Sequence, residues 1–519
     1  MAVPESYENI QPVPLTAELS CRDATFTTDA YMKNCFLEGS SEQVYATKRA
    51  GLQLIGNLST GQNIAGGSGL GLANYKLQSP GGVVAGVAII GDHKVNVSGT
   101  SLSTVLMAVK QTLPIPSPHP TGSYYRLQTY LEGIGTNTYA QSNYGVVAIG
   151  GTTPTNNVLY TALGSGSYLL TPSLCTLDNT AYVMDIAGNI SSTAIGGPST
   201  GWPALNTVIA YPEGARGTAL WQHLNYLVAF STDSFRVYAD AGISPGAPIQ
   251  IVANTGGKVG IPVGAEYTLQ TFEKSTYFLG QSGATGLAVY RMDGLEPAMI
   301  STPVINRVLQ TAFQAFMNYY AGSVTWNAVI TGTMLQVSGQ DFYALSLPTD
   351  SNSGSVGRTL VYAMQSRKWY WWTQVNPVTG LEQEIRINCI TPAAGTWANF
   401  CFDQSNGRVY NWLQTTYRDD TANIPVAIQT DVYNWGNMRT KMIPATYIVT
   451  DQIATTISIS WTDNDYSSFN TPQVVNGLLP KKQLIRCGST LQRGWLITHS
   501  DNTPMRFYNL EVEVKPGAL

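Results

Sequence analysis

The chain has 519 residues, 44% of them hydrophobic, which is ample for a packed core, excludes a disordered chain and suggests roughly two to four domains. Only 12% are charged, against a usual share of about 25%, while Gly (50), Pro (27), Tyr (29) and Trp (11) are abundant. The net charge of −4, with no Lys/Arg run, argues against stable duplex binding but not against transient passage of DNA.

So little Glu and Lys disfavours long exposed helices and favours short strands joined by tight turns. Few charges and many aromatics also suit permanent burial against other subunits. The opening MAVPESYENIQPVP has neither a basic nor an apolar leader region, so the expectation is a chain made in the cytoplasm without a signal peptide. The most apolar stretch, 83–90, is far short of the ~18 residues a membrane span needs, so no membrane insertion is expected. Six scattered Cys (Cys21, Cys35, Cys175, Cys389, Cys401, Cys487) contain no C-x-x-C pair and read as reduced, buried thiols.

Residues 1–55 read as an extended N-terminal arm and a first strand, because Pro4, Pro12 and Pro14 prevent a helix. Residues 56–220 are β-rich: a Gly-rich loop at 56–72, then short apolar runs broken by Gly, Asn and Asp, with a four-proline loop at 111–122. Residues 221–420 repeat one unit. Each hairpin, at 226–242, 275–294 and 398–412, leads an apolar strand through a polar turn into a second strand, and 341–348 with 358–374 gives another pair. This spacing predicts propeller-like blades of four strands. One helix is expected at 303–320, capped by Ser301 or Thr302, opened by Pro303, striped by Val304, Val308, Ala312 and Phe316, and closed by Gly322. Residues 421–519 alternate apolar and polar residues and predict a C-terminal β-sandwich. The fold class is therefore mainly β, a propeller-like multi-blade core with one inserted helix and a C-terminal sandwich.

Candidate chemistry is sparse. His93, His119, His223 and His499 form no metal pattern. Gly197-Pro198-Ser199-Thr200-Gly201 fits the letters of a nucleophile elbow, but Pro198 precedes the serine and no helix follows. The Gly66–Gly71 run lacks the strand–helix context of a phosphate loop. Asp233, Asp463 and Asp465 sit in turns like those in which an Asp side chain ties up backbone amides. No catalytic, cofactor or metal residue is assigned. Trp369, Tyr370, Trp371 and Trp372 form a candidate interface or stacking cluster, with Trp369 and Trp371 on one strand face and Tyr370 and Trp372 on the other. Lys481, Lys482, Arg486 and Arg493 form a candidate basic cluster facing DNA or a partner.

Several of these elements, in order, resemble the tail nozzle family of short-tailed double-stranded-DNA bacteriophages, also called packaged-DNA stabilisation or tail hub proteins. Asn34-Cys35-Phe36 followed by Lys48-Arg49-Ala50-Gly51-Leu52 is similar to the family's opening, with Ala50 where the family has Pro. STDSFRVYADAG, then FLGQSGATGLAVYRMDGLEPAMISTPVINRVLQ, LVYAMQSRKWYWWT and DQSNGRVYNW resemble successive blade hairpins and the capped helix. The likeness covers about 225–515 and, more weakly, 34–52; within 56–220 the chain holds divergent blades or an insertion.

The resemblance implies a structural virion protein without catalysis. It would form a homohexameric ring below the portal and adaptor, retain packaged genome, line the DNA ejection channel and dock fibres, tailspikes or a needle plug, assembling in the host cytoplasm. A receptor- or glycan-binding propeller is the alternative, and a tail-associated glycosidase a further one.

Overall fold

The computed structural model describes residues 10–15, 19, 29–39, 44–57, 69–79, 82–91, 94–98, 106–110, 132–134, 137–142, 145–149, 159–160, 170–171, 174–195, 202–243, 246–320, 330–347, 357–376, 379–385, 387–392, 399–403 and 408–516. It is mainly β, with many small sheets and, among the described residues, one α-helix.

From Gly69 onward the chain folds into successive four-stranded antiparallel meanders. The first comprises Gly69–Ser79, Gly82–Gly91, Lys94–Ser98 and Leu106–Lys110, and the second Glu132–Ile134, Asn137–Ser142, Gly145–Ile149 and Leu159–Tyr160. The third (Cys175–Leu177, Thr180–Met184, Asn189–Ser192, Thr207–Ile209) and fourth (Gly217–His223, Tyr226–Ser231, Phe235–Asp240, Ile249–Ile251) follow. The fifth is Gln270–Phe272, Ser275–Ser282, Gly286–Met292 and Pro297–Met299; the sixth is Thr331–Val337, Gln340–Leu347, Arg358–Ala363 and Lys368–Trp372. Their hairpins include those read from sequence at 226–242 and 275–294, where Ser, Asp, Gly and Thr close the turns.

A seventh sheet opens with three consecutive strands, Ile387–Pro392, Asn399–Asp403 and Arg408–Leu413. Its fourth is Gly51–Asn57, which runs antiparallel to Arg408–Leu413 with Leu52 opposite Trp412, and the short strands Arg418–Asp419 and Ala422–Asn423 follow beyond it. The first strands of neighbouring sheets lie side by side. Gln270–Phe272 contacts Thr331–Val337, which contacts Ile387–Pro392, which contacts Gly69–Ser79, which contacts Glu132–Ile134.

Two larger sheets weld the chain's two ends together. Lys368–Trp372 continues in parallel to Tyr31–Lys33, then to Val426–Gln429, Gly494–His499, Thr456–Thr462 and Gln473–Asn476, making a nine-stranded sheet. A second sheet runs Cys35–Gly39, Val44–Lys48, Arg506–Glu513, Ala445–Thr450, Gln483–Ile485, and Ile10–Pro14 pairs with the length of Arg506–Glu513 that Val44–Lys48 leaves open. The N-terminal segment, expected as an arm, is therefore threaded through three sheets. Both sheets share one core with the sixth and seventh meanders: Phe36, Leu52, Trp372, Trp412, Ile428, Trp495 and Leu510 are all within it.

The helix spans Pro303–Tyr320 as read from sequence. Thr302 caps it: its hydroxyl accepts from the Ile305 amide at 3.4 Å and its carbonyl from the Asn306 amide at 2.9 Å. Of the expected stripe, Val308 is buried and Val304 and Ala312 partly so, and the Phe316 side chain lies outside the described residues. The buried face also takes in Ile305, Leu309 and, in part, Phe313, because a straight i, i+4 series drifts around a helix of 3.6 residues per turn. The expected stop at Gly322 lies outside the described residues.

Candidate functional site

Asn34 and Arg49 form the point where the chain's ends meet. Asn34 adopts φ 59°, a left-handed conformation that Asn tolerates better than other side-chain-bearing residues. Its amide donates to the Trp371 carbonyl (2.9 Å), and its side-chain nitrogen to Thr373 Oγ1 (3.1 Å) and the Pro425 carbonyl (2.7 Å). Its side-chain oxygen accepts from the Thr373 amide and from Arg49 Nε. Arg49, fully buried, spends its other donors on the Ala50 and Thr373 carbonyls and on both oxygens of Asp419. Its guanidinium also lies 6.0 Å from the Trp412 ring.

Taking one partner from a buried pair of this kind costs about 3–5 kcal/mol, because the other charge is left uncompensated. Gly51 lies two positions further on. A Cβ there would collide with the Arg418 carbonyl, so only glycine lets the seventh sheet's fourth strand approach so closely.

Beside this clasp sits a buried titratable group. Lys48 Nζ donates to the Asp501 carbonyl (2.6 Å) and lies 3.5 Å from His499 Nδ1. Thr455 donates to Asp501 Oδ2 (2.6 Å) and lies 2.8 Å from His499 Nε2, so that nitrogen carries the proton and Nδ1 accepts from Lys48. Burial pulls Lys48 down to about 8, and burial with Lys48 alongside pulls His499 down to about 4. Burial pushes the neighbouring Cys35 thiol up to about 12, with Lys48 and Arg49 opposing.

The fourth and fifth sheets are tied by a hydrogen-bond relay. Trp221 Nε1 donates to Thr271 Oγ1 (2.8 Å), which contacts Thr276 Oγ1 (3.0 Å), which contacts His223 Nδ1 (2.9 Å). His223 Nε2 then donates to the Gly294 carbonyl at 2.7 Å. Burial lowers the His223 pKa, with the Gly294 hydrogen bond and Asp293 opposing.

The aromatic cluster is interior. Trp369 (5% exposed) and Trp371 (6%) face one core, Tyr370 (1%) and Trp372 (0%) the other, following the strand alternation. Trp372 Nε1 donates to the Cys35 carbonyl (3.1 Å), and its ring packs on Phe36, Phe342 and Trp412. These rings present no platform to a sugar or base within the chain, because both strand faces are covered by neighbouring sheets.

The basic cluster divides. Arg493 is buried and grips Asp463 through Nε–Oδ1 (2.7 Å) and Nη2–Oδ2 (2.8 Å), donates to the Cys487 carbonyl, and stacks 5.0 Å from Trp461. Lys482 is buried and donates to the Thr450 carbonyl, and burial lowers its pKa. Only Lys481, 4.9 Å from the Tyr447 ring, and Arg486 face solvent. Sequence spacing alone does not distinguish these two fates, since the sheet alternation and the partner Asp463 decide them.

The turn acids also differ from the expected pattern. In the turn at 231–234 the Ser231 hydroxyl accepts from the Asp233 and Ser234 amides and donates to Asp233 Oδ1. In the turn at 462–466 Thr462 Oγ1 accepts from the Asn464 and Tyr466 amides. Hydroxyls, and not Asp carboxylates, tie up these amides, and Asp463 is diverted to Arg493.

Cys35, Cys175, Cys401 and Cys487 are buried and form no disulfide, and the Cys389 side chain lies outside the described residues. Cys21, Ser199, His93, His119 and the proline-rich loop lie outside the described residues, and Gly69 to Gly71 opens a strand. Among the described residues no three His, Cys, Asp or Glu are grouped to hold a metal, and no helix is long and apolar enough to cross a membrane.

No family model and no curated protein matches the chain. Among solved structures it is similar to the N-terminal domain of Nup159 (11% identity, TM-score 0.37, covering 74% of this chain and 98% of that one). It is also similar to YCF48 from Cyanidioschyzon merolae (10%, TM-score 0.37, 70% and 98%). An exo-beta-1,3-galactanase from Phanerochaete chrysosporium gives 11% identity and a TM-score of 0.27, covering 74% and 95%. With all three TM-scores below 0.5, these likenesses assign the chain neither a fold nor an activity.

Proposed function

We propose that the chain is a structural subunit of a short-tailed phage tail, the nozzle or hub below the portal and adaptor. In this reading the seven meanders close into a propeller, with Gly51–Asn57 completing the last blade. The two sheets built from the chain's ends form a β-sandwich grafted onto the sixth blade. Six copies make a ring whose channel passes DNA without reading its sequence, and fibres, spikes or a needle dock on the assembly. The role is mechanical and not catalytic.

One observation carries the reading. The two separated stretches that resemble the nozzle family, 34–52 and 225–515, pack as one unit through Asn34 and Arg49. These residues bind Thr373 at the end of the KWYWW strand, Asp419 and Pro425. An accidental likeness at 34–52 gives no reason for those residues to be the joint. A subunit in which the N-terminal strand completes the last sheet also suits a part under axial load, since a propeller closed in this way cannot open without breaking that strand's ladder.

The test is an electron cryomicroscopy reconstruction of the virion that carries this chain. Density matching it in a ring on the tail axis, beneath the portal, supports the reading. Density at fibre tips, or none in the particle, overturns it.

A further inference from the structure

We propose that neighbouring copies of this chain join head to tail, the free edge at 474–486 of one copy seating on the outer strands of the third to fifth sheets of the next. This deepens the ring reading and rests on it. Both end sheets stop at the first face: Gln473–Asn476 is the last strand of one and Gln483–Ile485 of the other, and the two strands touch. Between them the chain exposes Val474 (65%), Leu478 (55%), Leu479 (47%) and Ile485 (59%), with Lys481 and Arg486 also exposed. No Asp or Glu occurs between Asp465 and Asp501, so the exposed side chains this segment contributes to the edge are apolar, uncharged polar or basic.

The second face has the opposite charge. Thr207–Ile209, Ile249–Ile251 and Pro297–Met299 are the fourth strands of three consecutive sheets, and among the described residues none has a partner on its outer side. Each exposes one large aliphatic side chain: Ile209, Ile251 and Met299. Asp240 and Glu296 are exposed beside them, and residues 170–300 carry nine Asp/Glu against five Lys/Arg. Unpaired edges with exposed aliphatic residues invite association unless something covers them. A copy of this chain offers both apolar complement and opposite charge. Two unlike faces make a heterologous contact, which closes into a ring when the rotation permits.

The test uses full-length protein with one face altered at a time: Leu478→Asp with Lys481→Glu, or Ile251→Asp with Glu296→Lys. All four positions are at the surface, and unchanged circular dichroism and melting identify variants that still fold. Sedimentation velocity over a concentration series is expected to show wild-type rings and each altered protein alone as a monomer, associating ~100-fold more weakly after loss of two anchors. An equimolar mixture of the two altered proteins retains one intact pair of faces and gives a discrete two-chain species and no ring. Wild-type rings with both altered proteins still assembling would overturn these faces and leave the ring reading standing. Wild-type protein that remains monomeric both alone and after addition of a portal–adaptor complex overturns both.

Discussion

Arg49 and Asp419 lie 370 positions apart in sequence and face each other in the interior, Nη1 donating to Oδ1 and Nη2 to Oδ2. Asn34 and Thr373 hold the remaining edges of the guanidinium in place. Because Arg49 sits between the Val44–Lys48 and Gly51–Asn57 strands, this one side chain fixes where the N-terminal segment leaves the end sheets and enters the seventh meander. Arg49→Ala or Asp419→Ala should destabilise the protein by about 3–5 kcal/mol, and replacing both with apolar residues of similar volume should cost less. Denaturant unfolding of the two single variants and the double variant measures this.

Closure of the seventh sheet rests on a glycine. Gly51→Ala places a methyl group against the Arg418 carbonyl, so the strand must shift or leave the ladder. The expected result is faster amide hydrogen exchange confined to Gly51–Asn57 and Arg408–Leu413. Uniform exchange identical to wild type would show that the strand tolerates the displacement.

Trp372→Ala removes a fully buried indole that joins Phe36, Phe342 and Trp412, and should cost about 3–5 kcal/mol. Glycan binding, if the protein has any, should survive in the folded fraction, because neither face of this strand reaches solvent. Loss of glycan binding without loss of stability would contradict the buried placement.

Lys48 and Cys35 give stability opposite dependences on alkaline pH. The folded lysine, held near 8, loses its proton before the unfolded one near 10.4, so its contribution rises with pH across that interval. The folded thiol, held near 12, keeps its proton while the unfolded thiol ionises above ~8.5, so its contribution falls as pH rises. Lys48→Met should therefore lose stability more steeply than wild type between pH 8 and pH 10, and Cys35→Ala less steeply. On the acid side, His499 held near 4 costs stability as pH falls from ~6.5, and His499→Asn should flatten that limb. Urea midpoints at half-unit pH steps report all three.

What was legible in the sequence was local. Thr302-Pro303 marks the helix start because cap and first-turn chemistry are set by adjacent residues, and the Trp369–Trp372 faces follow from strand alternation. The helix's buried side includes Val304, Val308 and Ala312 of the expected stripe but is centred a fraction of a turn away, at Ile305, Val308 and Leu309, since a four-residue stripe ignores the 3.6 period. The partners of the first 57 residues were not legible. Ile10–Pro14 pairs with Arg506–Glu513 and Gly51–Asn57 with Arg408–Leu413, and no local pattern names a strand hundreds of residues away. Lys482 and Arg493 looked like surface cations for the same reason: the Thr450 carbonyl and Asp463 that bury them arrive from other strands.

The central claim, a ring of identical subunits on a phage tail, is tested most directly by the solution mass of the purified protein. Light scattering over a concentration series, alone and with a portal–adaptor complex, gives it. The account predicts six copies, either from the protein by itself or once the adaptor is added. A stable monomer or trimer that ignores the adaptor would contradict it.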